Sequence, residues 1–263
     1  MPEIKVTFDA AEDYERVMGR WSRAIGERFL DWLAPANGLR WLDIGCGTGA
    51  FTQLILKRCA PKVAAAIDPA PAQIEHARKQ MPQADFRVAD STALPFGDDE
   101  FDVVASALVI NFIPDRSAAF REMHRVLRPG GTISAYLWDR RPGEDHSPHV
   151  PMEGGLRTIG AEVLRPPTTP EATPDGARAA LGQAGFADVA ITTIDAQVAF
   201  RDFDDYWQVQ SLPISPVGKS IASLGDNKRA ELHDVMRRML PAAADGSVSY
   251  SSRALAFQAR KPA

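Results

Sequence analysis

The sequence predicts an α/β protein built on a mostly parallel sheet with helices on both faces. Two observations carry that expectation. From Leu39 to Trp138, short apolar runs alternate with helical stretches, which is the order that parallel strands joined by crossover helices require. The first run, Leu39–Ile44, delivers the backbone into Gly45, Gly47 and Gly49, and Ala50, Phe51, Leu54, Ile55 and Leu56 then recur at helical spacing. Strand, glycine turn and helix is the layout of a nucleotide-type cofactor site. The glycines allow a tight turn and a close ligand approach, and the helix N-terminus offers unpaired N–H groups.

The elements follow in order. Tyr14, Val17, Met18 and Trp21, then Ile25, Phe29, Leu30 and Leu33, lie at helical spacing, and Pro35, Asn37 and Gly38 close that segment. The runs Leu39–Ile44, Val63–Ile67, Phe86–Val88, Phe101–Ser106 and Thr132–Trp138 read as strands. Between them lie predicted helices Ala50–Cys59, Pro71–Gln80 and Ser117–Leu127, with crossovers expected to be right-handed. Past Trp138 the chain is rich in Pro, Gly, His, Arg and Glu, with a helical stretch at Met152–Leu164. A helix over Pro174–Ala184 with Gly185 as its C-cap leads to a strand at Asp188–Ile194. Phe200–Leu240 reads as helical, and Val248–Ala259 as a closing strand. Residues 1–263 thus read as one domain, with an N-terminal cover at 1–35 and a core at 36–138. Segments 139–174 and 197–247 fall where strands end and are expected to form a lid.

Composition narrows the function classes. The 263 residues are 45% hydrophobic and 24% charged, with net charge −4 and no basic block. That is ordinary for a soluble globular protein and argues against a nucleic-acid groove. No apolar run is long enough to span a bilayer, and Met1–Tyr14 carries acids with no apolar signal core, so a cytoplasmic location is expected. Cys46 and Cys59, separated by a helix, stand about 20 Å apart, beyond disulfide reach.

Three further features carry chemistry. Gly45, Gly47 and Ala50 satisfy the loose dinucleotide pattern G-x-G-x-x-G/A, which keeps NAD open as a cofactor. Asp68 ends the second strand, where a carboxylate accepts from both hydroxyls of a ribose; the competing reading is a cap for the helix that Pro69 starts. After the third strand, Asp90 can accept from an adenine amino group, with Ser91 beside it; the competing reading is a solvated loop acid. Leu127-Arg-Pro-Gly-Gly131 ends a helix and turns into the next strand.

Taken in order, Leu42-Asp-Ile-Gly-Cys-Gly-Thr-Gly49, Asp68, Ala89-Asp90-Ser91, Leu94-Pro95-Phe96, Phe101-Asp-Val-Val-Ala-Ser-Ala107 and Leu127-Arg-Pro-Gly-Gly131 closely resemble the class I S-adenosylmethionine-dependent methyltransferases. Within that family the likeness is to the small-molecule branch (methyltransferase type 11) that includes ubiquinone- and menaquinone-biosynthesis-type enzymes. Tyr14-Glu-Arg-Val-Met-Gly-Arg-Trp-Ser22 is similar to that branch's cofactor-covering helix. The resemblance implies a Rossmann-like, seven-stranded, mostly parallel sheet whose reversed last strand is Val248–Ala259, topped by a helical lid. It implies S-adenosylmethionine as cofactor, S-adenosylhomocysteine as product and a small-molecule acceptor, with neither nucleic acid nor a membrane span. Gly45 and Gly47 then lie against the methionine part, with Cys46 between them, and Asp43 holds the loop. Asp68, followed by Pro69, takes the ribose hydroxyls, and Asp90 and Ser91 take the adenine. Ser106, Ala107 and Leu108 pack beside the ammonium, Arg20 pairs with the carboxylate and Tyr14 adds a hydrogen bond.

A cofactor with ammonium, sulfonium and ribose but no pyrophosphate suits a site with three acids, Asp43, Asp68 and Asp90. The rivals are an NAD-type oxidoreductase on the same turn and a non-catalytic S-adenosylmethionine-binding protein. A nucleic-acid methyltransferase is disfavoured, since the chain has no Asn-Pro-Pro-Tyr-like tetrapeptide.

Methyl transfer from a sulfonium needs alignment and dryness more than a base, and a base helps only when the acceptor must lose a proton. The sequence offers His124, His146, His149, Asp139, Tyr136 and Tyr206. Among these His146 and His149, flanking Ser147-Pro148 after the fifth strand, and Tyr206 are the catalytic candidates. His146-x-x-His149 lacks a third ligand nearby, so no metal is expected. Phe203, Tyr206 and Trp207 could wall an acceptor pocket or form core, and Asn111 and Phe112 point to the same mouth. Cys46 has no histidine partner and reads as a small buried residue rather than a nucleophile.

Overall fold

The computed structural model describes residues 15–141, 143–166 and 168–263. A π-helical turn, Glu15–Gly19, leads into α1 (Arg20–Leu33). The alternating region then gives β1 (Arg40–Ile44), α2 (Ala50–Cys59), β2 (Val63–Asp68), α3 (Pro71–Gln80), β3 (Asp85–Val88), β4 (Phe101–Ala107), α4 (Arg116–Val126) and β5 (Leu127–Trp138). A short ribbon, β6 (Arg140–Arg141) with β7 (Glu144–Asp145), precedes α5 (Val150–Thr158) and α6 (Pro174–Gln183). The chain continues through β8 (Ala187–Phe200), α7 (Phe203–Gln210), α8 (Pro216–Ala222), α9 (Asp226–Met239) and β9 (Val248–Arg260).

One seven-stranded sheet runs β3-β2-β1-β4-β5-β9-β8. β1 to β5 are parallel, while β9 inserts antiparallel between β5 and β8. The expected reversed strand is therefore present and is the last in the chain. Because β1 neighbours both β2 and β4, sheet growth switches direction there. Ligands gather at the carboxyl ends of strands beside such a switch.

The sheet separates two cores. On one face Trp21, Ile25 and Phe29 of α1 pack with Phe51, Tyr136, Met152, Tyr206, Leu232 and Met236. On the other, Leu42, Ile67, Val104 and Phe257 meet Phe120 and Met123 of α4 and Leu181 of α6. β1, β2 and β4 are buried on both faces, and this explains why they read as continuous apolar runs. Four helices begin at polar caps. Asp115, Thr173, Asp202 and Ser215 each accept a backbone N–H from the first turn they precede. Gly185, at φ +90°, follows α6 as expected, and Phe186 N–H closes on Leu181 O.

Two expectations change. Leu127-Arg-Pro-Gly-Gly131 turns as expected, with Gly130 at φ +73° and a register shift against β4, but it lies inside β5 rather than before it, and Gly130 N–H pairs with Lys261 O. The helical segment drawn from Phe200 starts too early. β8 runs to Phe200 because Ile194, Ala196, Val198 and Phe200 alternate into the core while their neighbours pair with β9. The stretch beyond then splits into three helices, so the second expected lid segment overlaps a sheet strand at 197–200. No helix among the described residues is long and apolar enough to cross a membrane.

Candidate functional site

The glycine turn folds across the end of β2. Gly45 and Cys46 N–H both donate to Ile67 O, at 2.8 and 2.9 Å. Gly45, Gly47 and Gly49 have φ of +72°, +55° and +87°, a region that strains L side chains. A Cβ on Gly45 would also overlap Val109. Asp68 ties the turn down: Oδ2 accepts from Gly47 N–H at 3.0 Å and Oδ1 from Ala70 N–H at 2.9 Å. It is not a side-chain cap of α3, whose N-cap position, Ala70, has none. Burial raises its pKa, against the pull of those two N–H groups.

A cavity of about 770 Å³, counted to its open mouth, lies against this turn. Gly45, Gly47, Asp68, Pro69, Asp90, Ser91 and Leu108 of the expected set line it, together with Gln73, Val109, Phe112 and Ile113. Among the described residues its wall holds two carboxylates and no Lys, Arg or His. Asp90 Oδ1 is taken by Thr92, from both N–H (2.8 Å) and Oγ1 (2.7 Å), which leaves Oδ2 to accept from a ligand. Leu108 stands at φ +62°, unusual for a branched side chain, and its N–H is pinned to Tyr136 O at 2.8 Å.

Other expected residues lie elsewhere. Asp43 is buried beneath the turn, where Oδ2 accepts from Thr52 Oγ1 at 2.6 Å and Oδ1 has no partner. Burial, helped by nearby Asp68 and opposed by Thr52, pushes its pKa up to about 7. Cys46 is buried, and desolvation drives its thiol pKa well up, as befits a packing residue. Ser106 Oγ donates to Ile44 O, and neither Ser106 nor Ala107 reaches the cavity wall. Arg20 is a correction: its guanidinium lies 4.6 Å over the Phe200 ring and 3.9 Å from Asp205, so β8 and α7 hold it away from the turn. Tyr14 lies outside the described residues.

A second cavity, about 720 Å³ to its mouth, shares Leu108 and Phe112 with the first. Val17, Met18, Leu137, Trp138, Ile214 and Pro216 make it apolar, and Asn111, Arg140, His149 and Thr169 add polar groups. Of the three catalytic candidates only His149 reaches this wall. Its ring is 6% exposed, and burial and then Arg140 push its pKa down to about 4. His146 is half-buried and outside the wall. Tyr206 is a correction: it is packed against Phe200, Phe203 and Tyr250, so it belongs to the core and its hydroxyl pKa is driven well up. Asp139 is buried and accepts from Arg141 Nε and Nη2, Tyr136 O–H donates to Ser22 O, and His124 meets the Phe186 ring. Among the described residues no group of three or more His, Cys, Asp or Glu converges on a metal site.

The sequence reading missed Gln73, Ile113, Arg140 and Thr169 as wall residues. Gln73 sits one turn into α3, a position that the Asp68-Pro69 start could have indicated. Arg140 and Thr169 carry no local signal.

A family model described as a methyltransferase domain matches residues 42–135. Malonyl-[acyl-carrier protein] O-methyltransferase of Erwinia pyrifoliae is 38% identical over 111 residues, 42% of this chain and 42% of that protein. The 2-methyl-6-phytyl-1,4-hydroquinone methyltransferase of a Synechocystis strain is 28% identical over 216 residues, 81% of this chain and 60% of that protein. The structure of Haemonchus contortus phosphoethanolamine N-methyltransferase 2 in complex with S-adenosyl-L-methionine superposes with TM-score 0.58 at 19% identity, covering 98% of this chain and 58% of that chain. The chain spans less than half the length of the first curated relatives it matches. Residues 42–135 thus match a methyltransferase-domain family, and the sheet with its reversed last strand is the fold of the methyltransferase structures it resembles.

Proposed function

We propose that this protein transfers a methyl group from S-adenosylmethionine to a small-molecule acceptor by in-line displacement. The observation that carries the reading is the junction at Leu108 and Phe112 between a carboxylate-lined cavity on the glycine turn and an apolar one. The first cavity fits the cofactor's chemistry. Asp68 keeps lone pairs for ribose hydroxyls and Asp90 Oδ2 can take the adenine amine. The described residues of the wall include no cation, which suits a ligand that carries ammonium and sulfonium but no pyrophosphate. Ser91 adds a polar contact, and Gly45 and Gly47 let backbone lie against the methionine part. Bound S-adenosylmethionine supplies an electrophilic methyl whose leaving group is a neutral thioether.

The chain's own contribution is positioning and exclusion of water. Leu108, fixed at a left-handed φ, and Phe112 form the partition across which acceptor and methyl meet. Segments 139–174 and 201–247 roof the apolar side, and we assign them the role of a lid. The names of the Erwinia and Synechocystis relatives support a small acceptor rather than nucleic acid.

Calorimetric titration with S-adenosylmethionine and S-adenosylhomocysteine tests the cofactor. Saturable heat with both is expected, and none with NADH. Absence of heat from folded protein would end the proposal. Cofactor binding without S-adenosylhomocysteine release across an acceptor panel would favour a non-catalytic binder.

A further inference from the structure

The two cavities differ in charge. Among the described residues, the glycine-turn wall holds two carboxylates and no cation, whereas the second wall holds the guanidinium of Arg140 and no carboxylate. Arg140 is 7% exposed and held from behind: Nε meets Asp145 at 3.1 Å, and Nη2 stands 3.7 Å from Glu153, too far to bond. Glu153 is shared with Arg157 at 2.8 Å and with Arg165. Three arginines against two carboxylates leave this cluster with one net positive charge. Arg140 Nη2 has no hydrogen bond, and neither has His149 Nδ1 nor Thr169 Oγ1, on side chains only 6% exposed. Buried polar atoms of this kind cost stability unless something pairs with them.

All three residues lie beyond the segment matched by the methyltransferase model. Their arrangement follows from two anchors. Asp139, buried at the end of β5, exchanges backbone hydrogen bonds with Arg253 and His146, which fixes the ribbon that carries Arg140. Glu153 N–H bonds His149 O, which fixes the histidine at the start of α5.

We infer that this corner selects acceptors that present an acidic oxygen, a phenol, enol or carboxylic acid, on an apolar frame, and turns away amines. Arg140 and Thr169 can donate to such an oxygen, and His149 can accept from its proton. Burial keeps the imidazole neutral at pH 7, which leaves it free to accept. An ammonium would instead face the guanidinium in a low-dielectric wall whose described residues include no carboxylate. The inference rests on reading this cavity as the acceptor site.

The test uses three probes on one frame: 1-naphthol, 1-naphthoate and 1-naphthylmethylammonium, titrated by calorimetry into protein saturated with S-adenosylhomocysteine. At least one oxygen acid is expected to bind ten times more tightly than the amine. Thr169→Val and Arg140→Met should each shrink that preference at least fivefold while S-adenosylhomocysteine affinity stays within twofold. A preference centred on naphthoate should depend most on Arg140, and one centred on naphthol should depend most on His149, read from His149→Phe. Equal or tighter amine binding, no binding of any probe, or a preference that survives the variants overturns the inference. If Arg140→Met fails to fold, as thermal unfolding would reveal, Thr169→Val decides. If S-adenosylhomocysteine itself does not bind, the functional reading falls. The probes are then titrated into free protein, where persistence of the acid preference upholds the corner and its loss removes it.

Discussion

The glycine-turn cavity and the apolar cavity sit side by side at the same edge of the sheet, yet they are built differently. The first draws its wall from one stretch, Ile44 to Pro114, as each parallel strand ends and hands a residue to the opening. The second gathers residues 17–18, 108–112, 137–149, 166–172 and 214–216, segments that only folding brings together. Each region also buries an ionisable group whose protonation burial shifts, and the two shift in opposite directions. Asp43 beneath the turn is pushed up to about 7, and His149 in the apolar wall down to about 4. Burial disfavours the charged form in both cases; the charged form is the base for Asp and the acid for His.

This contrast has its largest consequence in stability against pH. Folded Asp43 holds its proton where the unfolded chain has lost it, so its contribution is intact near pH 4 and lost as pH rises to about 7. The loss is bounded at about 4 kcal/mol. Folded His149 stays neutral where the unfolded chain is protonated. Its contribution is present above about 6.5 and lost as pH falls toward 4, by at most about 3 kcal/mol. Denaturant unfolding of cofactor-free protein across pH 4–8 checks both. The difference between wild type and Asp43→Asn should fall with rising pH, and that for His149→Phe should rise. Parallel slopes would mean that the two regions are not opposed in this way.

Next in size is Gly45→Val. The backbone at φ +72° and the overlap with Val109 should cost about 1–3 kcal/mol in strain and raise the S-adenosylhomocysteine Kd by a hundredfold or more. Calorimetry should find the naphthyl probes affected far less, because none of that wall comes from the turn. Asp68→Ala removes both the ribose acceptor and the tie to Gly47 N–H. The expected loss of S-adenosylhomocysteine affinity is about 1–3 kcal/mol, and an unchanged Kd would refute the ribose role. The smallest effect belongs to Arg20→Ala. Its guanidinium lies over Phe200, so S-adenosylhomocysteine affinity should move by less than twofold. A tenfold loss would return Arg20 to the cofactor site.

Much of the first cavity was legible in the chain because its chemistry is local. A strand that ends in alternating glycines, a strand that ends in Asp68 and a loop that starts with Asp90 each announce their place by sequence alone. Arg20 and Tyr206 were misplaced for a shared reason. Both lie on amphipathic helices, and periodicity says which face is buried without saying what that face meets. Arg20 met the end of β8, a strand taken to stop six residues earlier, and Tyr206 met the aromatic side chains Phe200 and Tyr250. The alternation Ile194, Ala196, Val198, Phe200 was the signal that could have corrected both.

The reversal of the last strand was implied by the family resemblance; by itself the sequence determined the parallel core, the glycine turn and the two acids on its cavity. Each depends on hydrophobic period, backbone freedom at glycine or a polar side chain at a strand end, and all of these act within a few residues. Only the tertiary structure decided that Ser106 and Ala107 stay off the cofactor cavity's wall, and that Arg140, His149 and Thr169 share one corner. Those outcomes depend on which segments exclude water from one another, and residues distant in the chain acquire a common environment only when the sheet edge and its covering helices close over them.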